Sequence, residues 1–141
     1  MQKYIMTASI VYLGDLRCSA THLQSGTEIQ TDAPTDNRGK GEKFSPTDTL
    51  CVALGTCIIT TMALKANELG LDLRDTFIDI TKHMLPNPRR VAKIDVDVKL
   101  PTKIHAVKEY KVVLETIGNN CPVAKSLNPE MILNITYDWG E

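Results

Sequence analysis

Four cysteines, at positions 18, 51, 57 and 121, are the residues of this chain best equipped for chemistry. Cys57 stands inside a run, residues 49–64, that carries no charge at all. Cys121 follows Asn119-Asn120 and precedes Pro122. The thiolate, not the thiol, is the nucleophile, and a helix start offers it free N–H groups and the positive end of the dipole. A buried cysteine can equally be a small hydrophobe. Cys18 and Cys51 read that way. Cys57 is either inert filling or the reason its helix exists. For Cys121 a reactive and a structural reading both stand, since an apolar filler has no reason to sit between two asparagines and a proline. Cys51 and Cys57 project from different faces of one helix and cannot pair within it.

Other chemistries find little support. No CxxC occurs and His22, His83 and His105 are scattered, so no metal site is expected. There is no GxSxG elbow, and Gly39-Lys40-Gly41 lacks the spacing of a phosphate-cradling loop. No cofactor is implied. With 16 basic and 17 acidic residues the net charge is −1, which makes no case for nucleic acid or an anionic membrane. The uncharged run is shorter than the roughly 20 residues a bilayer requires and is interrupted by threonines, so it reads as a buried helix. Lys3 followed by residues 4–13 is faintly like a signal peptide. Thr7, Ser9 and Tyr12 interleave with the apolar residues, however, and a first strand is the better reading. The expected location is the cytoplasm, where lasting structural disulfides are uncommon.

The elements must position these thiols. A chain of 141 residues predicts one domain over 1–141, and 43% apolar with 5% aromatic residues predicts an aliphatic core. Residues 46–69 read as one long helix. Ser45 is the N-cap, Pro46 takes the first helical position, Asp48 stands where a capping-box partner belongs, and Gly70 supplies the stop. At about 1.5 Å per residue it spans on the order of 36 Å. Before it, residues 4–13, 16–22 and 27–31 predict an antiparallel meander with turns at Gly14-Asp15 and Ser25-Gly26. Residues 32–43 are a polar loop.

After the helix, residues 76–85 and 91–100 alternate as a hairpin with Ile94, Val96, Val98 and Leu100 inward. A second helix is expected over residues 103–117, on a stripe of Ile104, Val107, Tyr110, Leu114 and Ile117. A short third helix begins at Cys121-Pro122, and residues 131–137 close as a strand. The order β-β-β-α-β-β-α-α-β is that of an α+β domain with antiparallel sheet and a central helix. That helix is apolar in every direction, so it must be covered all round. One small sheet covers one side; the other needs a second sheet or a second subunit.

Phe44-Ser45-Pro46-Thr47-Asp48, followed by Ala53-Leu54-Gly55-Thr56-Cys57, resembles the central-helix motif of the OsmC/Ohr family. Asn120-Cys121-Pro122-Val123, with Lys125-Ser126-Leu127, resembles that family's second-cysteine motif. Both motifs fall in the right order with a β-β-α passage between them, and the resemblance covers nearly the whole chain. It implies an intertwined homodimer, with antiparallel sheets wrapped around long central helices and active sites at the subunit interface. It also implies a thiol-dependent peroxidase that reduces organic hydroperoxides and is recycled by an external dithiol, such as a lipoyl or thioredoxin-like protein. By position, Cys57 becomes the peroxidatic cysteine and Cys121 the resolving one. A cation must offset burial of the thiolate. The family takes an arginine from its N-terminal strands, which points to Arg17, with Arg38 as the alternative. The family glutamate that follows the motif proline is Thr47 here. Asp48, next to it, either orients the arginine or caps the helix. A non-enzymatic binder of a small apolar ligand in the interfacial pocket, or a redox-responsive structural dimer, is the competing expectation.

Overall fold

The computed structural model describes residues 5–140. The chain falls into two compact units, one ending at Thr49 and the other beginning at Leu50. Tyr4, the first residue of the first expected strand, lies outside the described residues.

The first unit is the expected meander. Strands β1 (Ala8–Gly14), β2 (Arg17–His22) and β3 (Glu28–Asp32) pair antiparallel in the order β1-β2-β3. Both residues of the first turn, Asp15 and Leu16, have positive φ, which suits the right-handed twist of the flanking strands. The sheet leaves Ile10 (72% exposed), Val11, Tyr12, Leu13 and Ile29 open in the single chain.

The polar loop is ordered by its own backbone. A 3-10 turn at Thr35–Asn37 is followed by Gly39 N–H donating to the Pro34 carbonyl and Gly41 N–H to that of Ala33. Asp32 closes the base: its N–H donates to the Phe44 carbonyl and its carboxylate accepts the Glu42 N–H at 3.1 Å. Ser45 then caps helix α1 (Pro46–Glu68). Its Oγ accepts the Asp48 N–H at 3.0 Å, and Asp48 Oδ2 accepts the Ser45 N–H at 2.9 Å. This is the capping box read from the sequence, a device worth about 1 kcal/mol.

In the second unit α1 buries one stripe: Cys51, Leu54, Gly55, Ile58, Met62 and Ala66. It faces a sheet of β4 (Phe77–Leu85), β5 (Arg90–Lys99) and β6 (Ile132–Asp138) in the order β4-β5-β6. Ile94, Val96, Val98 and Leu100 are buried, as their alternation required. Gly55 lets helix and sheet touch, since a Cβ there would stand 2.5 Å from Ile80 Cδ1. By length and composition α1 could cross a bilayer; here its stripe packs against a sheet instead. Its other side carries Val52 and Leu64, the latter 70% exposed. Thr56 and Thr60 on that side return their hydroxyls to the Val52 and Thr56 carbonyls at 2.8 and 2.9 Å.

Three elements differ from the sequence expectation. Strand β1 starts only at Ala8, and residues 5–7 before it are in no strand. Helix α2 runs Lys108–Asn119, starting five residues late. Pro101 opens a turn closed by the Ile104 N–H at 3.1 Å, and Val107 is held extended. Ile104 is buried from this loop, Leu114 is buried from the helix, and Val107 and Tyr110 are exposed. Strand β6 joins β5 in parallel, not antiparallel. The link between them contains α2 and then α3 (Pro122–Ser126), and a helical crossover brings a strand back in its original direction.

Candidate active site

The second unit brings Cys57 and Cys121 together. Cys57 lies on α1 beside the buried stripe and is half-buried; Cys121 is fully buried at the N-cap of α3. All four cysteines are free thiols. The Cys121 thiol is within hydrogen-bonding reach of the Cys57 sulfur. The Val123 N–H, in the first turn of α3, also donates to Cys57, and Thr61 Oγ1 lies 3.7 Å from the Cys57 Sγ one helical turn on.

These contacts divide the pair. Burial pushes the Cys57 thiol up, but the Val123 N–H, Thr61 and Cys121 together outweigh it, and its pKa lies below the ordinary thiol value. Burial first, and then the hydrogen bond to Cys57 and its negative charge, push the Cys121 thiol up against the Ala124 and Val123 N–H groups that bring it down. The helix start expected to favour a Cys121 thiolate therefore serves Cys57 more. Alkylation by iodoacetamide tracks the thiolate. Its rate at Cys57 is expected to rise with pH and level off below the ordinary thiol range near 8.5. Cys121 reacts only at higher pH. Peptide mass spectrometry across pH 5–10 reads both curves, and coincident curves would contradict the division.

Arg17 belongs to the first unit. Register sets it opposite Asp32, and its Nε and Nη2 donate to the two Asp32 oxygens at 2.7 and 2.8 Å. Nη2 also donates to Glu42 Oε1 at 3.1 Å. Asp32 is 1% exposed. The guanidinium hydrogen bonds hold its carboxyl down at about 2 against the opposing pull of burial, and Arg17 is raised in turn. A depressed carboxyl stabilises the fold fully above the ordinary carboxylate range, near 3.9, and loses that contribution as pH falls through about 2. Acid is therefore expected to open the polar loop between those limits. Proteolysis at residues 32–43 against pH detects it, and Asp32→Asn should remove that part of the acid dependence.

Asp32, Thr61 and the Val123 N–H were not singled out in the sequence. Asp32 was within reach: a strand ending at residue 22 paired with one starting at residue 27 sets residue 17 opposite residue 32. The Val123 amide had no signal, because a backbone N–H has no residue type. Asp48, expected either to orient the arginine or to cap the helix, makes the capping box; Arg17 takes Asp32 and Glu42. Arg38 is exposed, in a left-handed conformation after the 3-10 turn. Cys51 is buried as expected, while Cys18 on β2 is only partly so. His83 Nε2 pairs with Asp95 Oδ2 at 2.7 Å on the outer face of the second sheet, and His22 Nδ1 with Ser25 Oγ at 2.6 Å.

Fold and thiol pair together define a chain of the OsmC class. The family model described as OsmC-like protein matches residues 39–136, and the chain belongs to that family. Among solved structures it is similar to a candidate osmotic stress induced and detoxification response protein from Psychrobacter arcticus 273-4. The two are 38% identical with a TM-score of 0.90, over 96% of this chain and 98% of that one. An organic hydroperoxide resistance protein OsmC from Legionella pneumophila shares the fold at 14% identity, TM-score 0.68, over 96% and 99% of the two chains. An OsmC-like protein from Mycoplasma pneumoniae does so at 18%, TM-score 0.73, over 97% and 98%. No curated protein matches the chain.

Proposed function

We propose that this protein is a thiol-dependent peroxidase that reduces organic hydroperoxides to alcohols. The observation that carries this reading is the Cys57–Cys121 contact with opposed shifts, the Cys57 thiol brought below its ordinary pKa and its neighbour pushed above. The Cys57 thiolate attacks the peroxide oxygen. The O–O bond breaks, the alkoxide takes a proton and leaves as alcohol, and Cys57 becomes a sulfenic acid. Cys121 then attacks the Cys57 sulfur. An S–S bond forms, and hydroxide leaves as water with the thiol proton. An external dithiol, lipoyl or thioredoxin-like, returns the pair to thiols. Family relatives named for organic hydroperoxide resistance support the substrate class.

Arg17 is assigned as the cation for the thiolate, on the family resemblance and on the rigid way Asp32 and Glu42 hold it. Asp48 serves through the capping box at the start of the catalytic helix. The working unit of this reading is an obligate homodimer, because the open side of α1 and the open meander sheet leave Ile10, Leu13, Val52 and Leu64 to be covered; the cytoplasm is its proposed location. An interface of that kind exceeds about 2,000 Å². Light scattering at low micromolar concentration should find no folded monomer; a stable folded monomer would remove the shared interface from this reading.

The deciding assay follows consumption of an alkyl hydroperoxide and of hydrogen peroxide with dihydrolipoamide as reductant. Faster turnover of the alkyl hydroperoxide, with one Cys57–Cys121 disulfide formed per peroxide when reductant is withheld, is expected. No consumption above the uncatalysed rate would end the peroxidase reading.

A further inference from the structure

Cys121 sits at the corner between α2 and α3, whose own bonds run only into those two helices: the Asn120 N–H donates to the Ile117 carbonyl at 3.2 Å, Asn120 Nδ2 to the Thr116 carbonyl at 2.8 Å, and the Lys125 N–H to the Cys121 carbonyl at 3.1 Å. α2 ends at Asn119 and α3 begins at Pro122, so Asn120 and Cys121 alone join them. The Cys121 N–H makes a long 3.3 Å bond to the Gly118 carbonyl. Pro122 brings no N–H at all. What reaches the corner from outside is Tyr137 on β6. Its hydroxyl donates to Asn119 Oδ1 at 2.8 Å, with the Glu115 carbonyl at 3.3 Å as the alternative acceptor. Gly118 lets it in: a Cβ there would stand 2.5 Å from Tyr137 Oη and 3.0 Å from Met62 Sδ. Met62 belongs to the buried stripe of α1, the helix that carries Cys57.

We propose that Tyr137 is the positioning residue of the second thiol, fixing the α2–α3 corner through Asn119 so that Cys121 meets Cys57. The proposal rests on the reading of these cysteines as a redox pair. Burial, and then the charges of Glu115 and Cys121, raise the Tyr137 phenol, so it stays a donor where Cys57 titrates. Trp139 makes a separate attachment of the same strand end to α2, its Nε1 donating to Glu115 Oε1 at 3.3 Å. That bond leaves the corner itself alone and provides a control.

The test is the effective molarity of Cys121 toward Cys57 in the whole protein, measured at equilibrium with glutathione and glutathione disulfide. The Cys57 thiolate attacks one sulfur of glutathione disulfide and expels a glutathione thiolate. Cys121 gives its proton to solvent, attacks the Cys57 sulfur of the mixed disulfide and expels the second. Two protein thiols are oxidised and one glutathione disulfide becomes two glutathiones. Tyr137→Phe should lower the effective molarity about tenfold, the size of one lost hydrogen bond. Asn119→Ala should do the same, and the two together no more. Asn119→Asp keeps an acceptor for the hydroxyl and should restore near-native closure, which a general loosening would not. Trp139→Phe should change it little. An unchanged value in Tyr137→Phe, or equal losses in Tyr137→Phe and Trp139→Phe, overturns the proposal, as does a native chain whose two cysteines fail to join under glutathione disulfide. A chain that closes the disulfide but ignores alkyl hydroperoxides keeps this inference and loses the peroxidase function.

Discussion

Cys57→Ser is expected not to react with one equivalent of an alkyl hydroperoxide at a rate comparable to the native chain, while Cys121→Ser reacts once and stops at a sulfenic acid on Cys57. The two thiols touch, yet their surroundings differ in sign. Cys57 is stabilised as an anion by the Val123 N–H, Thr61 and Cys121, whereas Cys121 is fully buried and pushed up by that burial and by the charge on Cys57. Removing Cys57 leaves the thiol that holds its proton, and the rate at neutral pH should fall to that of an unactivated cysteine. Removing Cys121 leaves the nucleophile but no second sulfur, so excess peroxide should carry Cys57 to sulfinic and sulfonic acids. In the native chain two thiols should become one disulfide, with Cys18 and Cys51 left free. Mass spectrometry after brief exposure separates these cases. Equal modification of both variants, or a disulfide joining Cys18 to Cys51, would favour the non-enzymatic binder.

Arg17→Ala is expected to slow the reaction of Cys57 with an alkyl hydroperoxide by about a hundredfold, the scale of losing one fixed charge-stabilising donor set. The variant has a second consequence. It strips the buried Asp32 carboxylate of its bidentate partner, so the first unit should also become less stable. Arg17→Lys separates the two effects, because it returns the charge but not the planar fork that spans both Asp32 oxygens and Glu42. Partial recovery of rate is expected on the proposed assignment of Arg17 as the cation. Asp32→Asn leaves Arg17 charged but less firmly held, and should fall between the two. Full activity in Arg17→Ala with loss in Arg38→Ala would transfer the role to the polar loop.

Local rules made much of this chain legible. Ser45, Pro46 and Asp48 mark the start of α1 because a capping box is closed by residues three apart, whatever surrounds it. The alternation from Ile94 to Leu100 names the buried face of β5 because successive side chains of a strand point to opposite sides. The meander and the short helix at Pro122 followed from turn chemistry and from the fixed φ of proline. The motifs around Cys57 and Cys121 carried the family.

Where sequence reading fell short, distance along the chain was the reason. Lys108 rather than Lys103 starts α2 because the 101–104 turn and the burial of Ile104 hold the chain extended to Val107. β6 runs parallel to β5 because the α2–α3 crossover returns it that way, which its own alternation does not encode. The sequence by itself determined which residues could be nucleophiles and which elements would carry them. Only the tertiary structure decided which of the two thiols keeps its proton. That depends on burial and on amides and hydroxyls arriving from other elements, and a field of that kind belongs to the folded arrangement, not to any stretch of residues.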